Sequence, residues 1–410
     1  MLSYAVGCIW IILQLFLIGY HWDYPVHDDA WAYRELAARC LSENSWYPTQ
    51  SDLHSLFIFA PGYVNLLILC HKLFGAFVYY NILNLMMNIL VAWEVMYLAR
   101  RIFHKAAGYV SLIFYCILFS NLYLPIAQLS DLPFVCLISS AICLCISASR
   151  WWKLILAGVL IALANWMRPF ALIYLIALIA YFFLQKRDWK SYVYLILPVV
   201  AILFFIGKRT EQRMGKFVYQ STTSGINLSM TCSHRANGLV NISLYNDPAE
   251  STYIPDIGQY TFDEIDALKR ASGIRWILDN PVRYAMFLPV KLIALYCEDT
   301  WSERVLPDKG FRVVFQEKGA DLGGWIQLGI SLFLKSLSYY LVLLFFMYYL
   351  WTEKWFVKRN IWLIIPLLGT AMTIALVVTS RYHYPFMFII IPYAASAFCN
   401  YAGMRWEKKC

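Results

Sequence analysis

Leu2-Ser-Tyr-Ala-Val-Gly-Cys-Ile-Trp-Ile-Ile-Leu-Gln-Leu-Phe-Leu-Ile-Gly-Tyr20 runs directly into His21-Trp-Asp-Tyr-Pro-Val-His-Asp28-Asp29-Ala-Trp-Ala-Tyr33-Arg34-Glu35-Leu-Ala37. The first half is apolar and long enough to cross a bilayer as a helix. It lacks a basic leader and a small-residue cleavage site, so it reads as an uncleaved anchor. The second half begins an acidic loop. Asp23, Asp28, Asp29, Glu35, Glu43 and Asp52 all fall before Tyr63 in a chain with few charges. Two adjacent carboxylates just outside a membrane segment are costly unless they face water or a cationic partner. Asp29, Tyr33 and Ala37 fall four apart and share one face if the stretch is helical. Asp29, with Asp28 beside it, is therefore the candidate catalytic carboxylate, placed at the membrane surface.

Composition extends this reading to the whole chain. Hydrophobic residues make up 61%, aromatics 18% and charged residues only 14%, far from the balance of a soluble domain. The alternating pattern of a membrane barrel is absent. Lipid forces backbone groups to pair within helices, so the expected fold is an all-α polytopic membrane protein. The formal charge of +9 does not imply nucleic acid, because the basic residues sit in short loops between apolar runs, where they orient the chain in the bilayer. The eleven cysteines form no framework. Cys8, Cys116, Cys136, Cys143, Cys145 and Cys399 lie in apolar runs as small core residues. Cys40, Cys70, Cys232 and Cys297 lie in or near loops, with no spacing that argues for a disulfide or a metal pair.

Taken in order, the chain predicts about ten transmembrane helices. Residues 1–206 form an N-terminal membrane module whose first loop, 21–63, carries the acids. Residues 207–324 form one large loop, and 325–410 the last spans. Val64–Phe74, interrupted by His71 and Lys72, reads as an interfacial helix, and so does Tyr284–Cys297 with Lys291. Ala106–Leu122 reads as one span. The basic loops Arg100–Lys105, Arg150–Lys153, Lys186–Lys190, Lys354–Arg359 and Arg405–Lys409 all fall on one side. The acidic first loop, the Asp131 turn, Arg168, the large loop and Arg381 fall on the other. The positive-inside rule then puts both termini in the cytoplasm and the acids outside, with a bacterial inner membrane as the expected location. The chain ends soon after its last span, so no further soluble domain is expected.

Several short motifs follow one another on that outer side. They are Asp29-x-x-x-Tyr33; Pro61-Gly62 ahead of a helix ending Leu73-Phe74-Gly75; Ser130-Asp131-Leu-Pro-Phe; Gly158-Val-Leu-Ile-Ala-Leu-Ala with Arg168-Pro169 after it; Gly225-Ile-Asn-Leu; Asn280-Pro281 before the helix with Lys291; and Arg381-Tyr382-His383-Tyr384-Pro385. Their order and topological side resemble the polytopic GT-C-type glycosyltransferases that use lipid-phosphate-linked sugars. This group includes the protein O-mannosyltransferases and the lipid A aminoarabinose transferases. The resemblance implies a polyprenyl- or dolichyl-phosphate sugar donor, a lipid, glycan or protein acceptor, no nucleotide sugar, and an Asp base in the first loop. Many members have Asp-Glu there; this chain has Asp28-Asp29 followed by Ala30, so either aspartate is the matching position.

The chemistry suits the inventory. A sugar on a lipid phosphate already has a good leaving group, so the reaction needs a base for the acceptor hydroxyl and cations for the departing phosphate. Asp29 or Asp28 supplies the base; the bland alternative is a solvated loop or a helix cap. Arg168, Arg381 and Lys291 are the candidate phosphate ligands, against snorkelling to lipid head groups. Tyr33, His383 and Tyr384 supply hydrogen bonds around them. Asp131 either orients a cation or, by a small margin, caps its helix. A divalent metal on His27, Asp28, Asp29 and His383 is the less favoured reading, since the spacing is loose, and no cofactor is assigned. The Trp and Tyr abundance reads as an aromatic belt before a sugar platform. Asn227-Leu-Ser229 and Asn241-Ile-Ser243 are sequons.

Two other functions compete. A transporter or lipid flippase needs ionisable or helix-breaking residues at mid-span, and here Glu94 and Lys335 are nearly the only charges inside spans. A polysaccharide polymerase or ligase would rely on the cations of the large loop. Neither reading explains why the charges crowd one face around the first loop.

Overall fold

The computed structural model describes residues 2–22, 26–46, 60–221, 223–241, 243–244, 247–303, 322–353 and 358–404. The expectations for Asp23 and Asp52, for the 57–59 approach to the first interfacial helix, and for the basic ends at 354–357 and 405–410 lie outside these residues. Among the described residues every regular element is a helix, as the apolar composition requires. Its elements are α1 (Leu2–Tyr20), α2 (Asp28–Ser42), α3 (Pro61–Phe74), α4 (Tyr80–Ile102), α5 (Lys105–Ile117), α6 (Phe119–Ala127), α7 (Asp131–Ile146), α8 (Trp151–Met167), α9 (Ala171–Leu184), α10 (Trp189–Met214), α11 (Ser224–Ser229), α12 (Phe262–Asp279) and α13 (Pro281–Tyr296). Helices Leu322–Lys335, Leu337–Thr352, Ile364–Ala375 and Tyr384–Tyr401 complete the chain.

The hub is the last helix, Tyr384–Tyr401. It is apolar all round and fifteen of its eighteen residues are buried, which is the mark of a helix enclosed by others. Leu337–Thr352, α5 and α4 pack on it, α7 packs on α4, and α8 joins α7 to α10. At the edge, α1 and α10 keep most of their apolar surface exposed, as lipid-facing helices do. Close approach of α8 to α10 needs Gly158: a Cβ there would stand 2.3 Å from the Leu195 carbonyl oxygen. Small residues at helix contacts are the usual means of packing in lipid.

By length and composition, Leu2–Tyr20, Phe77–Ile102 and Trp189–Gln212 can each cross a membrane, and two bent pairs bring the number to five. Asp131–Ile146, Trp151–Met167 and Ala171–Leu184 are apolar but shorter, so helix length alone does not fix the number of crossings.

One expected span is corrected. Ala106–Leu122 is not continuous: α5 and α6 meet at a 62° bend around Leu118, whose backbone is extended. A break at membrane depth frees backbone groups that must find partners, and here side chains supply them. Asn121 Nδ2 donates to the Tyr115 carbonyl at 2.8 Å and Asn88 Nδ2 to the Asn121 carbonyl at 2.8 Å. Ser302 Oγ donates to the Ser120 carbonyl at 2.8 Å, while the Ser120 amide donates to Asp299 Oδ2 at 3.2 Å. The same network ties in α1, since Asn88 also donates to Gln14 Oε1 at 2.7 Å. The later span Trp325–Trp351 is likewise bent by 60°, between Lys335 and Leu337.

Both short helices form, as α3 and α13; α3 is embedded, whereas α13 keeps much of its apolar surface exposed. α3 starts at Pro61, a residue suited to the first helical turn. It ends at Gly75 with φ of +82°, where glycine closes a helix at least cost. Its first turn is buried against α8: a Cβ on Gly62 would lie 2.6 Å from Trp166 Cδ1 and 2.7 Å from the Trp166 carbonyl oxygen. In the large loop, α11 docks on α12 through Asp266, whose Oδ1 accepts from the Gly225 amide at 2.7 Å and the Ile226 amide at 3.0 Å.

Candidate active site

Four helix ends meet at one place. The first is the start of α2. Asp28 and Asp29 occupy its first turn, where the helix dipole favours acids. Ala30, Tyr33, Leu36, Ala37 and Cys40 form its buried face, so the expected helix with Asp29 and Tyr33 on related positions is present. The second is the start of α7, whose first residue is Asp131. The third is the end of α8, stopped at Arg168 because Pro169 follows. The fourth is the short turn Ser380–His383, which carries Arg381 just ahead of the central helix.

The side chains at these ends join into one ion network. Arg381 Nη1 donates to Asp29 Oδ2 at 2.6 Å, and Arg381 Nε donates to Asp131 Oδ2 at 2.6 Å. Arg168 Nη1 donates to Asp131 Oδ1. Residues 131, 168 and 381 thus close a contact that spans 250 positions of sequence between its ends. Asp131 opens α7 and is fully buried, and each of its oxygens accepts from a guanidinium group, Oδ1 from Arg168 and Oδ2 from Arg381. Asp29 differs in being half-exposed, with 49% of its side chain open, against 14% for Arg381. Of the two carboxylates, only Asp29 is placed to meet an incoming molecule.

Electrostatics keep both cations charged. Burial, then the neighbouring Arg381 charge, lower the Arg168 guanidinium to about 10, still protonated at neutral pH. For Arg381 burial acts downward, but Asp29 and the surrounding tyrosines outweigh it and raise the group above the ordinary value. Arg168 also sits 5.4 Å from the ring centre of Tyr382, a cation–π contact that orients the guanidinium.

Tyr33 joins the site through a neighbour. Its hydroxyl lies 3.3 Å from Ser130 Oγ, beside Asp131, and its ring meets Tyr63 edge-on at 4.6 Å. Burial raises the Tyr33 hydroxyl above its ordinary value, so it acts as a neutral hydrogen-bonding group. Ser130 was part of a recognised motif but had no assigned role; its adjacency to Asp131 was the only signal.

The remaining sequence candidates lie outside this network. Asp28 is exposed, with φ of +51°, and takes no part in the ion pairs. Lys291 is buried and donates to the Leu376 carbonyl at 2.9 Å. Burial holds its ammonium below the ordinary lysine value. His383 points the other way from Arg381: Nδ1 lies 3.0 Å from the Leu295 carbonyl oxygen and Nε2 3.5 Å from Asp299 Oδ1. The Tyr384 hydroxyl is 3.5 Å from that of Tyr115, inside the helical core. Among the described residues, no group of three or more His, Cys, Asp or Glu is arranged to hold a metal.

No family model matches the chain, and no curated protein matches it either. Solved structures do. The oligosaccharyltransferase of Archaeoglobus fulgidus in its apo form aligns over 98% of this chain and 51% of its own, with a TM-score of 0.53 and 14% identity. The same archaeal enzyme, AglB, in complex with an inhibitory peptide and a dolichol-phosphate gives a TM-score of 0.52, with 13% identity over 98% of this chain and 51% of that one. ArnT from Cupriavidus metallidurans in the apo state covers 95% of this chain and 77% of its own at 11% identity, but its TM-score of 0.40 is too low to carry an argument. The chain thus spans about half the length of the archaeal enzyme. Identities this low establish the fold alone: the chain shares the helical architecture of the aligned half of the archaeal enzyme.

Proposed function

We propose that the chain is an inverting glycosyltransferase that moves a sugar from a polyprenyl- or dolichyl-phosphate donor to an acceptor on the extracytoplasmic side of the membrane. The observation that carries this reading is the Asp29–Arg381–Asp131–Arg168 network, in which one half-exposed carboxylate stands beside two cations held by a buried one. The archaeal neighbour whose bound molecules include a dolichol-phosphate and an inhibitory peptide supports a lipid-linked donor on this fold.

In the proposed step an acceptor hydroxyl attacks the anomeric carbon of the sugar. Asp29 takes the hydroxyl proton. The bond between the anomeric carbon and the phosphate oxygen breaks, and its electron pair leaves on the phosphate. Attack from the face opposite the leaving group inverts the centre. A positioned base contributes about 10²–10⁴-fold in rate. Arg381 uses Nε and Nη1 on the two aspartates, and Arg168 uses Nη1 on Asp131. Their remaining N–H groups are the donors offered to the departing phosphate, a geometry guanidinium suits. Asp131 keeps the two like charges together, and Tyr33 holds the Ser130 turn against α2. Lys291, His383 and Tyr384 are retained as supporting positions behind the site.

The test is transfer of radiolabelled sugar from polyprenyl-phosphate donors in membranes expressing wild type, Asp28→Asn or Asp29→Asn. The expected outcome is donor-dependent labelling that Asp29→Asn abolishes and Asp28→Asn retains, at equal membrane expression. Full labelling in Asp29→Asn would remove the base from the scheme.

A further inference from the structure

A second site lies beside the first. His21, Trp22, Arg34, Phe77, Asn81 and Gln128 are among the residues that line a cavity of about 290 Å³. This is at the small end of ligand pockets, with room for one sugar-sized group. The chain links the cavity to the ion network without sharing its residues: Arg34 follows Tyr33 on α2, and Gln128 lies two positions before Ser130, whose hydroxyl Tyr33 reaches. None of the transfer chemistry above uses it.

Its chemistry is one-sided. Among the described residues, the lining includes a guanidinium and two imidazoles, those of His21 and His71, and no carboxylate. Arg34 is half-buried, stacks over the Phe77 ring at 5.7 Å, and has no carboxylate partner among the described residues. Arginine removed from water without an acid is costly unless an anion completes it. Gln128 supplies the second, independent observation. It is 3% exposed and donates Nε2 to Asn81 Oδ1 at 2.8 Å, while its Oε1, buried at the cavity, has no hydrogen-bond partner among the described residues. Its backbone is left-handed, with φ of +48°, because Gln128 closes α6. A buried acceptor without a donor is costly by itself, and a ligand hydroxyl would satisfy it.

We propose that this cavity is an anion subsite for the acceptor, taking a phosphate or carboxylate on Arg34 and a neighbouring hydroxyl on Gln128. The inference rests on the transferase reading for the word acceptor, but the binding site itself does not. It identifies the acceptor class as a hydroxylated anion, such as a phosphorylated sugar.

The experiment is binding of glucose 6-phosphate, with glucose as the uncharged control, to the full chain in nanodiscs of phosphatidylcholine by isothermal titration calorimetry. The expected result is one site for the phosphate ester and none for glucose. Arg34→Gln should weaken binding on the order of tenfold or more, the scale of one charge-assisted contact. Gln128→Glu, nearly isosteric, should weaken it similarly by placing a negative charge in the cavity. This second variant also guards against misfolding of the Arg34 one. Repeating the titration in phosphatidylglycerol nanodiscs separates the sources: loss of glucose 6-phosphate binding assigns the anion to a lipid headgroup, and unchanged binding assigns it to a glycan end. No binding of glucose 6-phosphate, or binding insensitive to both cavity variants, would overturn the proposal. Because the titration involves no transfer, a protein that binds but does not transfer sinks the transferase reading alone. A protein that transfers, with binding unaffected in both variants, sinks this inference alone.

Discussion

Replacing Asp131 by Asn is the sharpest test of the ion network. In the native arrangement two carboxylates and two guanidiniums sum to zero charge, and Asp131 is the fully buried member that touches both arginines. The Asp131→Asn variant would leave Arg168 and Arg381 facing each other with only the half-exposed Asp29 between them and water. Two unit charges about 4 Å apart attract by about 4 kcal/mol at an effective dielectric of about 20. Losing two such contacts sets an upper bound of about 8 kcal/mol, and the recovered desolvation of the carboxylate offsets part of it. Experience with one-sided removal of buried partners is a loss of about 3–5 kcal/mol. At about 2 °C per kcal/mol for a long chain, the detergent-solubilised protein should melt roughly 6–10 °C lower. The decisive comparison is Asp131→Asn combined with Arg168→Gln, which restores neutrality. It should melt higher than Asp131→Asn alone, with a coupling of at least about 1 kcal/mol. Melting is followed by size-exclusion recovery after heating. A single variant that melts with the wild type, or a double variant equal to the sum of the two singles, would refute a network held by charge balance.

Three further outcomes follow from the packing. Gly62→Val puts a branched side chain where even a Cβ meets Trp166 at 2.6 Å; it should cost about 1–3 kcal/mol as overpacking, read as a lower melting temperature, whereas Gly7→Val, with open space around it, should be neutral. Lys269 in α12 is buried, donates to the Thr252 carbonyl at 3.0 Å, and burial lowers its ammonium to about 8. The folded state therefore sheds this proton before the unfolded state does, so stability rises with pH above about 8 until the unfolded lysine also deprotonates near its ordinary value. Wild type should gain on Lys269→Met between pH 8 and 10 in melts of the two proteins, and parallel curves would contradict it. Thr261→Ala removes the capping box at the start of α12 and should cost about 1 kcal/mol, seen as faster amide exchange over the first turn of that helix.

How much of this was legible in the sequence differs by feature. Leu2–Tyr20 and the last helix are unbroken apolar runs, and lipid leaves such runs no option but helix, so both were readable by inspection. The broken span at Leu118 was not. No glycine or proline marks residue 118, and the break is tolerated because Asn121 of the span itself and Asn88, Asp299 and Ser302 of two other segments satisfy the freed backbone. The acidic first loop was conspicuous because charges are scarce in this chain, and local spacing alone put Asp29 and Tyr33 on one helix. The partners of Asp29 were a different matter. Arg381 lies 352 positions away; in the sequence, Tyr382, His383 and Tyr384 around it favoured it over Arg168 and Lys291, but nothing joined any of the three to Asp29.

Only the tertiary structure separated them, by turning Arg168 and Arg381 onto Asp131 while Lys291 was spent on a backbone carbonyl. Sequence by itself determined which segments are apolar enough to be helices in lipid and on which face the charges gather, because hydrophobic length and charge are local properties. Tertiary packing decided which charges neutralise one another and which carboxylate stays half open, because Coulomb attraction and burial depend on distances that the chain sets only once its helices have packed.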